Sequence, residues 1–549
     1  MLSATEFRGS GRLFGGFVDR FLLGPPDSPP HLAGGWGVID TDRRIRRIAI
    51  VGGGVAGWTA AATLARKLGG QCSIHVIDSA EAASAGFAEA SHPAVLELLR
   101  QLGVDQNDFV DKTQSTYSLG TRLVDWATPG QSSWHPFGAF GALIERRPFY
   151  HYWHKARVLG LKPRVELFSL ETSMALANRF IFPTNTLGVA QHMRYALHLD
   201  GALAARYLRG VAERAGVIRL ERKVVSAARG EGGLVEELKF EDGGSLRADL
   251  YIDASGARAQ LVGEVLGTPL EDWSRWLPCD RMLSAPVALE DARTPAVRVT
   301  ARPAGWSWRM PLQAVAGAGQ VWSSAHQDED AARQELVAAA GTPLAEPRLT
   351  SFVNGRRRVF WDQNVIAIGQ AAGCLEPLAA ADLLLLGGQL FNLLDHFPDK
   401  QFDPANTASY NAAVVHDFDR TRDFTILHYA TSRRDDSPFW QQNAQRELPD
   451  SLRQRLEQYR ASGRIVQQRA EPFSDLDWFF VLEGAGVVPR DYDPLVDTVD
   501  FEQVKRLMLA ISQKVSADVA AAPTHDSFFA AANARLAGAR KAAAAAVSG

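Results

Sequence analysis

The stretch Arg47-Ile48-Ala49-Ile50-Val51-Gly52-Gly53-Gly54-Val55-Ala56-Gly57 limits the choice of fold more than any other part of this 549-residue chain. Ile48, Ala49, Ile50 and Val51 form an apolar run suited to a strand buried on both faces, and the run opens directly into a glycine turn. Residues 58–68 are Ala-rich with Leu64 and Leu68 at helical spacing, and a second apolar run, residues 73–77, ends in an acid, Asp78. This is a complete βαβ unit. Gly52 permits the tight turn, Gly54 lets a pyrophosphate approach the backbone, and Gly57 lets the helix pack closely on the strand. Val55 and Ala56 belong to the turn, and the unpaired N–H groups and positive dipole end of the helix that follows face the phosphates. Asp78, 21 positions beyond Gly57, is placed to bond ribose hydroxyls. The order of strand, turn, helix, strand and acid predicts dinucleotide binding.

Two more strands open into small-residue turns. Ala248-Asp249-Leu250-Tyr251-Ile252 runs into Asp253-Ala254-Ser255-Gly256, and Asn364-Val365-Ile366-Ala367-Ile368 runs into Gly369-Gln370-Ala371-Ala372-Gly373. Three such turns predict one sheet whose strands converge on a single ligand, an α/β arrangement. A net charge of −3 gives no electrostatic argument for nucleic acid or anionic membrane, neither of which is expected as a partner, and a small neutral or mixed-charge ligand fits better. Cys72, Cys279 and Cys374 lack metal or disulfide spacing, so no metal is expected and a reducing, cytoplasmic compartment is. No charge-free apolar run reaches the ~20 residues of a membrane span. Residues 1–45, with Gly-Pro-Pro-Asp-Ser-Pro-Pro at 24–30, read as an extension, and the Ala-dominated residues 519–549 read as a frayed helix or disordered tail.

Eight ordered motifs carry a closer resemblance. They are the GGGxAGW turn at 52–58; Ala88-Glu89-Ala90-Ser91 with Pro93; His135-Pro136-Phe137-Gly138; residues 249–256; Leu277-Pro278-Cys279-Asp280-Arg281; Trp306-Ser307-Trp308-Arg309-Met310-Pro311; residues 373–378; and Arg422-Asp423-Phe424 with His428-Tyr429. Over roughly residues 46–518 the chain resembles the flavin-dependent tryptophan halogenases. The resemblance implies a three-layer FAD module of the aromatic-hydroxylase, glutathione-reductase-like type, in discontinuous segments at roughly 46–140, 185–275 and 355–400, with a mostly helical substrate region from the remainder. It also implies FAD reduced by a separate flavin reductase, a small aromatic substrate, and allows a homodimer. Glu89, Gly369 and Ala371 fall near the flavin, while Trp306, Trp308, Pro311, His135 and Phe137 fall along the substrate chamber and tunnel.

In that family a halide beside the flavin is oxidised to hypohalous acid, which reaches the aromatic ring through a tunnel. A lysine captures or orients the oxidant there, and a glutamate stabilises the charged ring or takes its proton. This chain departs from the pattern at those positions. The segment that holds the lysine reads Gln114-Ser115-Thr116-Tyr117-Ser118-Leu119, with Ser118 in the lysine's place. Lys112 and Arg122 are out of register and read as solvated charges. The halide loop reads Glu376-Pro377-Leu378-Ala379-Ala380-Ala381-Asp382, so the glutamate has become Ala379, two hydroxyls are lost, and Asp382 brings negative charge to the anion site. A carboxylate about 4 Å from a halide is repulsive by about 4 kcal/mol at an effective dielectric of ~20.

The reading that follows is an FAD-dependent monooxygenase- or oxidase-type oxidoreductase acting on an indole-like aromatic, with halogenation lost and its catalytic residues unassigned. A halogenase using other residues and a flavin-fold partner protein without activity are the alternatives. His135, His326 and His428 read as packed or hydrogen-bonded histidines, Trp273, Trp276 and Trp440 as chamber or core aromatics, and Arg356-Arg357-Arg358 as a solvated turn.

Overall fold

The computed structural model describes residues 43–79, 88–183, 189–289, 292–467 and 469–530. Most of the proposed extension and the end of the Ala-rich tail therefore lie outside the described residues. The central sheet has the order Trp361–Asp362, Val365–Ala367, Leu250–Asp253, Arg47–Val51, Ser73–Ile77, Ile218–Leu220, parallel throughout except at the Trp361–Asp362 edge. Ile50 pairs with Ile252 on one side and Val76 on the other, and Ile252 pairs with Ile366. All four are buried, as doubly covered parallel strands require. The helices Val55–Leu68 and Gly201–Arg214 pack together over this sheet. An antiparallel meander of Val224–Arg229, Val235–Phe240 and Ser245–Arg247 is tied to it by Asn364, whose amide bonds Val235 N and O at 2.9 and 2.8 Å. These are the three layers expected of the α/β module.

A seven-stranded sheet stands beside the module: Arg348–Ser351, Arg281–Val287, Ala316–Trp322, Gly305–Pro311, Val297–Arg302, Gly120–Val124, Ser132–Pro136. It carries Trp306 and Trp308 on one strand and His135 on its edge strand. The Ala-Gly-Ala-Gly run at 316–319 is explained by its neighbour. Gly319 lies opposite Trp308, and a Cβ there would run into the indole. A small sheet of Ala88–Ala90, Ala196–Asp200 and Thr116–Ser118 places Glu89 and Ser118 on strands flanking a common partner. Helices complete this part of the fold: Pro404–Ala430, Pro438–Ala444, Asp450–Ser462, Asp475–Gly484 and Phe501–Ala521. The expected helical region thus packs on a sheet that local sequence did not announce.

Two expectations are corrected. The chain does not leave the body at residue 519: the helix runs to Ala521, and His525 and Phe529 beyond it are buried, held by His525 N to Asn178 O at 2.9 Å and by Phe529 stacking on Tyr117 at 5.2 Å. The aromatic pair Phe528-Phe529 supplies the apolar area that alanines cannot. Arg356 is not solvated either. It is buried, paired with Asp419 at 2.9 Å and Glu271 at 3.1 Å, because the strand Gly355–Arg357 is enclosed between two others.

Candidate functional site

The three small-residue turns meet at the ends of adjacent parallel strands. Gly52 has φ +121, and a Cβ on it would strike the Ala254 carbonyl; a Cβ on Gly57 would strike the Gly52 carbonyl. A Cβ on Gly369, at φ +56, would come within 2.9 Å of Ala56. Gly52 and Gly57 are therefore needed for the turn to close on itself and on the second turn. Gly54 differs: nothing lies within 4 Å of the position its Cβ would take. It caps the 14-residue helix Val55–Leu68, which has no side-chain cap and no acid in its first turn. Open space over uncapped N–H groups is a cradle for a phosphate. Asp78 is buried against Gly53, and its Oδ2 accepts from Arg219 Nε at 2.9 Å, which fixes the carboxylate beside the turn.

Glu89 and Asp382 belong to the same end of the molecule. Burial pushes the Glu89 carboxyl up to about 7, with Asp382 and then Asp200 adding to the shift. Desolvation alone raises Asp382 to about 6, although its side chain is solvent-accessible. Asp382 lies in the first turn of the helix Ala381–Asp395, whose N-cap, Ala380, is left-handed at φ +54 and offers no side-chain cap.

Trp306 anchors a buried hydrogen-bond network. Its Nε1 donates to Glu376 Oε2 at 3.0 Å, and Tyr429 OH donates to the same oxygen at 2.6 Å. Trp126, Tyr429 and Trp440 surround this buried network, with Trp126 5.4 Å from both Tyr429 and Trp440. Burial raises the Glu376 carboxyl and the Cys279 thiol above their ordinary values. Trp308, two residues on and so on the same face of the strand, is buried, and Pro311 O accepts from Thr116 Oγ1 at 2.6 Å, joining the tryptophan strand to the strand that ends in Ser118.

Residues 47–501 match the family model for tryptophan halogenases. The chain belongs to the tryptophan halogenase family. It is 29% identical over 489 residues to the tryptophan 7-halogenase RebH of Lentzea aerocolonigenes, covering 82% of this chain and 91% of that protein. The flavin-dependent halogenase BrvH of Brevundimonas sp. BAL3 superposes with a TM-score of 0.85 at 36% identity, covering 89% of this chain and 100% of that one. Xcc4156, a flavin-dependent halogenase from Xanthomonas campestris, gives 0.85 at 37% identity over 88% and 98%.

Within this halogenase fold Ser118 is buried, with its Oγ donating to Gly120 O at 3.4 Å, and Ala379 closes the short turn Pro377–Ala379. Lys112 is exposed on a helix and paired with Asp108 at 2.9 Å, and Arg122 is exposed beside Trp134. His326 is half-buried against Gln442, and His428 donates from Nδ1 to Phe424 O at 2.9 Å. His135, in contrast, is bonded to Asp477 at 2.8 Å. Glu171 was not singled out from sequence, yet its carboxyl lies against Gly138 and accepts from Arg194 N at 2.9 Å, while burial raises it to about 8. His92 and Asp477 were also missed. The sequence signal for Asp477 was the Ser474-x-x-Asp477 capping box, which says where a helix begins and nothing about His135.

Proposed function

We propose that this member of the tryptophan halogenase family is an FAD-dependent oxidoreductase that oxidises a small aromatic, indole-like substrate and has lost the family's route to halogenation. Bound FAD, reduced by a separate flavin reductase, supplies the activation of oxygen. The open face at Gly54 and the uncapped N–H groups of Val55 and Ala56 fit its pyrophosphate, Asp78 its ribose, and Gly369 and Ala371 the small-residue wall near its ring system. Trp306 and Trp308 keep the substrate side apart from the flavin.

The observation that carries the loss of halogenation is Asp382 in the first turn of its helix. The helix dipole that would attract a halide is already met by a carboxylate. A second anion there would add to the repulsion that Glu89 already feels from Asp382. Ser118 and Ala379 supply neither an amine nor an acid, so an oxidised halogen would find no carrier and the ring no base at the family's positions.

The test is a reductase-coupled incubation with NADH, FAD, bromide and tryptophan, indole or phenols, with products read by mass spectrometry. Products one oxygen heavier and no bromotryptophan are expected from the wild type. Bromotryptophan at rates like those of a working halogenase would overturn the reading. Ser118→Lys alone is expected to stay without bromination, because no halide site feeds it. The informative partner is the variant carrying Ser118→Lys, Ala379→Glu, Ala380→Ser, Ala381→Thr and Asp382→Gly together.

A further inference from the structure

His135 and Asp477 are brought together across 342 residues of sequence, with Nε2 2.8 Å from Oδ1 and both groups buried. The other carboxylate oxygen is fixed by Ser474, through its backbone N at 2.6 Å and its Oγ at 2.7 Å, in the capping box of the helix Asp475–Gly484. Burial opposes ionisation of Asp477, but with hydrogen bonds from His135 and Ser474 the carboxyl lies below its ordinary value. An ionised carboxylate only accepts, so the His135 proton sits on Nε2 and, in the neutral ring, Nδ1 keeps a bare lone pair. Among the described residues that Nδ1 has no protein partner.

The surroundings are aromatic. His135 lies 5.4 Å from Phe424 and 6.4 Å from Phe473, and two residues on, Phe137 donates its N–H to Leu119 O at 2.9 Å, next to Ser118. His92 completes the group, edge-on to Phe137 at 5.7 Å and to Phe473 at 6.3 Å. Its Nδ1 accepts from Ala94 N at the start of the helix Pro93–Gln101, so its free Nε2 carries the proton. Burial keeps this ring neutral, down to about 4, with Asp477 opposing and His135 and Arg194 assisting. A positioned base and a neutral N–H donor thus stand against one aromatic cluster, with Phe473 common to both, near the family's lysine position.

We infer that His135 is the acid–base residue of this active site, oriented by Asp477, and that it takes over the proton transfer for which Ala379 has no group. The inference rests on the aromatic oxidation proposed above. With FAD bound to supply the electrophilic oxygen, the ring carbon that bonds to that oxygen would give up its proton to His135 Nδ1. The C–H electron pair returns to the ring, and Asp477 balances the charge of the imidazolium. Asp477 is a positioning residue and does not itself become protonated.

Two measurements decide it. Nitrogen-15 NMR of histidine-labelled protein without cofactor is expected to show His135 wholly as the Nε2–H tautomer, and Asp477→Asn is expected to lose that preference. Ser474→Ala, which removes only the cap, should keep it. In the reductase-coupled assay, His135→Gln should lower product formation by about 10²-fold or more and Asp477→Asn by at least about tenfold, with FAD affinity as the check on folding. An Nδ1–H tautomer in the wild type, or one unchanged by Asp477→Asn, overturns the inference whatever the activity. Product from His135→Gln at the wild-type rate overturns it while leaving the aromatic oxidation standing. A wild type that oxidises no aromatic overturns the earlier reading and this one together.

Discussion

At the scale of single residues, the glycines of the first turn separate structural need from binding. Gly52 holds φ +121 against the Ala254 carbonyl, so Gly52→Ala combines backbone strain with a clash and should destabilise the protein by about 2 kcal/mol or more. Gly54 has φ −77 and open space in place of a Cβ, so Gly54→Trp should leave the melting temperature where it was. Its effect should fall on the cofactor, with FAD affinity lowered at least tenfold, about 1.4 kcal/mol, by calorimetry. Equal affinity in the two proteins would show that the phosphates lie elsewhere. The same contrast explains why one glycine motif serves two purposes. Gly52 and Gly57 make the turn, and Gly54 leaves it accessible.

At the scale of elements, residues 522–530 act as a clasp on the strand Thr116–Ser118. Asp526 pairs with Arg293 at 2.7 Å, His525 Nδ1 donates to Arg293 O at 2.7 Å, and Phe528 and Phe529 pack on Tyr117 with Phe180 and Phe182. Phe529→Ala should therefore cost about 3–5 kcal/mol in denaturant unfolding, the range of a buried phenylalanine deletion, and not the near-zero change of a loose tail. The start of the helix Ala381–Asp395 makes the opposite case. Ala380 occupies a left-handed conformation without a side chain suited to it, so Ala380→Gly should stabilise the protein by about 1 kcal/mol. A lower midpoint for that variant would mean that the Ala380 methyl packs better than its backbone suffers.

At the scale of the whole molecule, buried ionisable groups set a pH window for stability. Burial lowers His154, His198 and His428 to about 3 and His92 and His525 to about 4. Unfolding lets these rings take protons, so their contribution is present above the ordinary histidine value of 6.5 and is lost as pH falls through the interval below it. Burial raises Glu89 to about 7 and Glu171 and Glu483 to about 8. The folded state then holds protons that the unfolded chain releases near 4.5, so stability falls as pH rises from there to about 8. The two trends oppose each other between 4.5 and 6.5. Calorimetric melting temperatures should peak in that interval and decline toward pH 8, with Glu171→Gln flattening the decline. A melting temperature still climbing at pH 8 would exclude this balance.

The parallel strands at 47–51, 250–253 and 365–367, the three turns behind them and the acid at 78 were legible from sequence, because buried strands and glycine turns leave contiguous local patterns. Ser118, Ala379 and Asp382 drew attention in the sequence because each stands within a motif. The fate of Arg356 and of residues 519–530 was not, because burial of a charge or a tail depends on partners such as Asp419 and Tyr117 that no local pattern identifies. The pairing of His135 with Asp477 was hidden for the same reason. Sequence determined which residues could form the strands, turns and caps, and tertiary packing alone decided which distant side chains meet, since a hydrogen bond across 342 residues is set by how a sheet edge and a helix start are brought together.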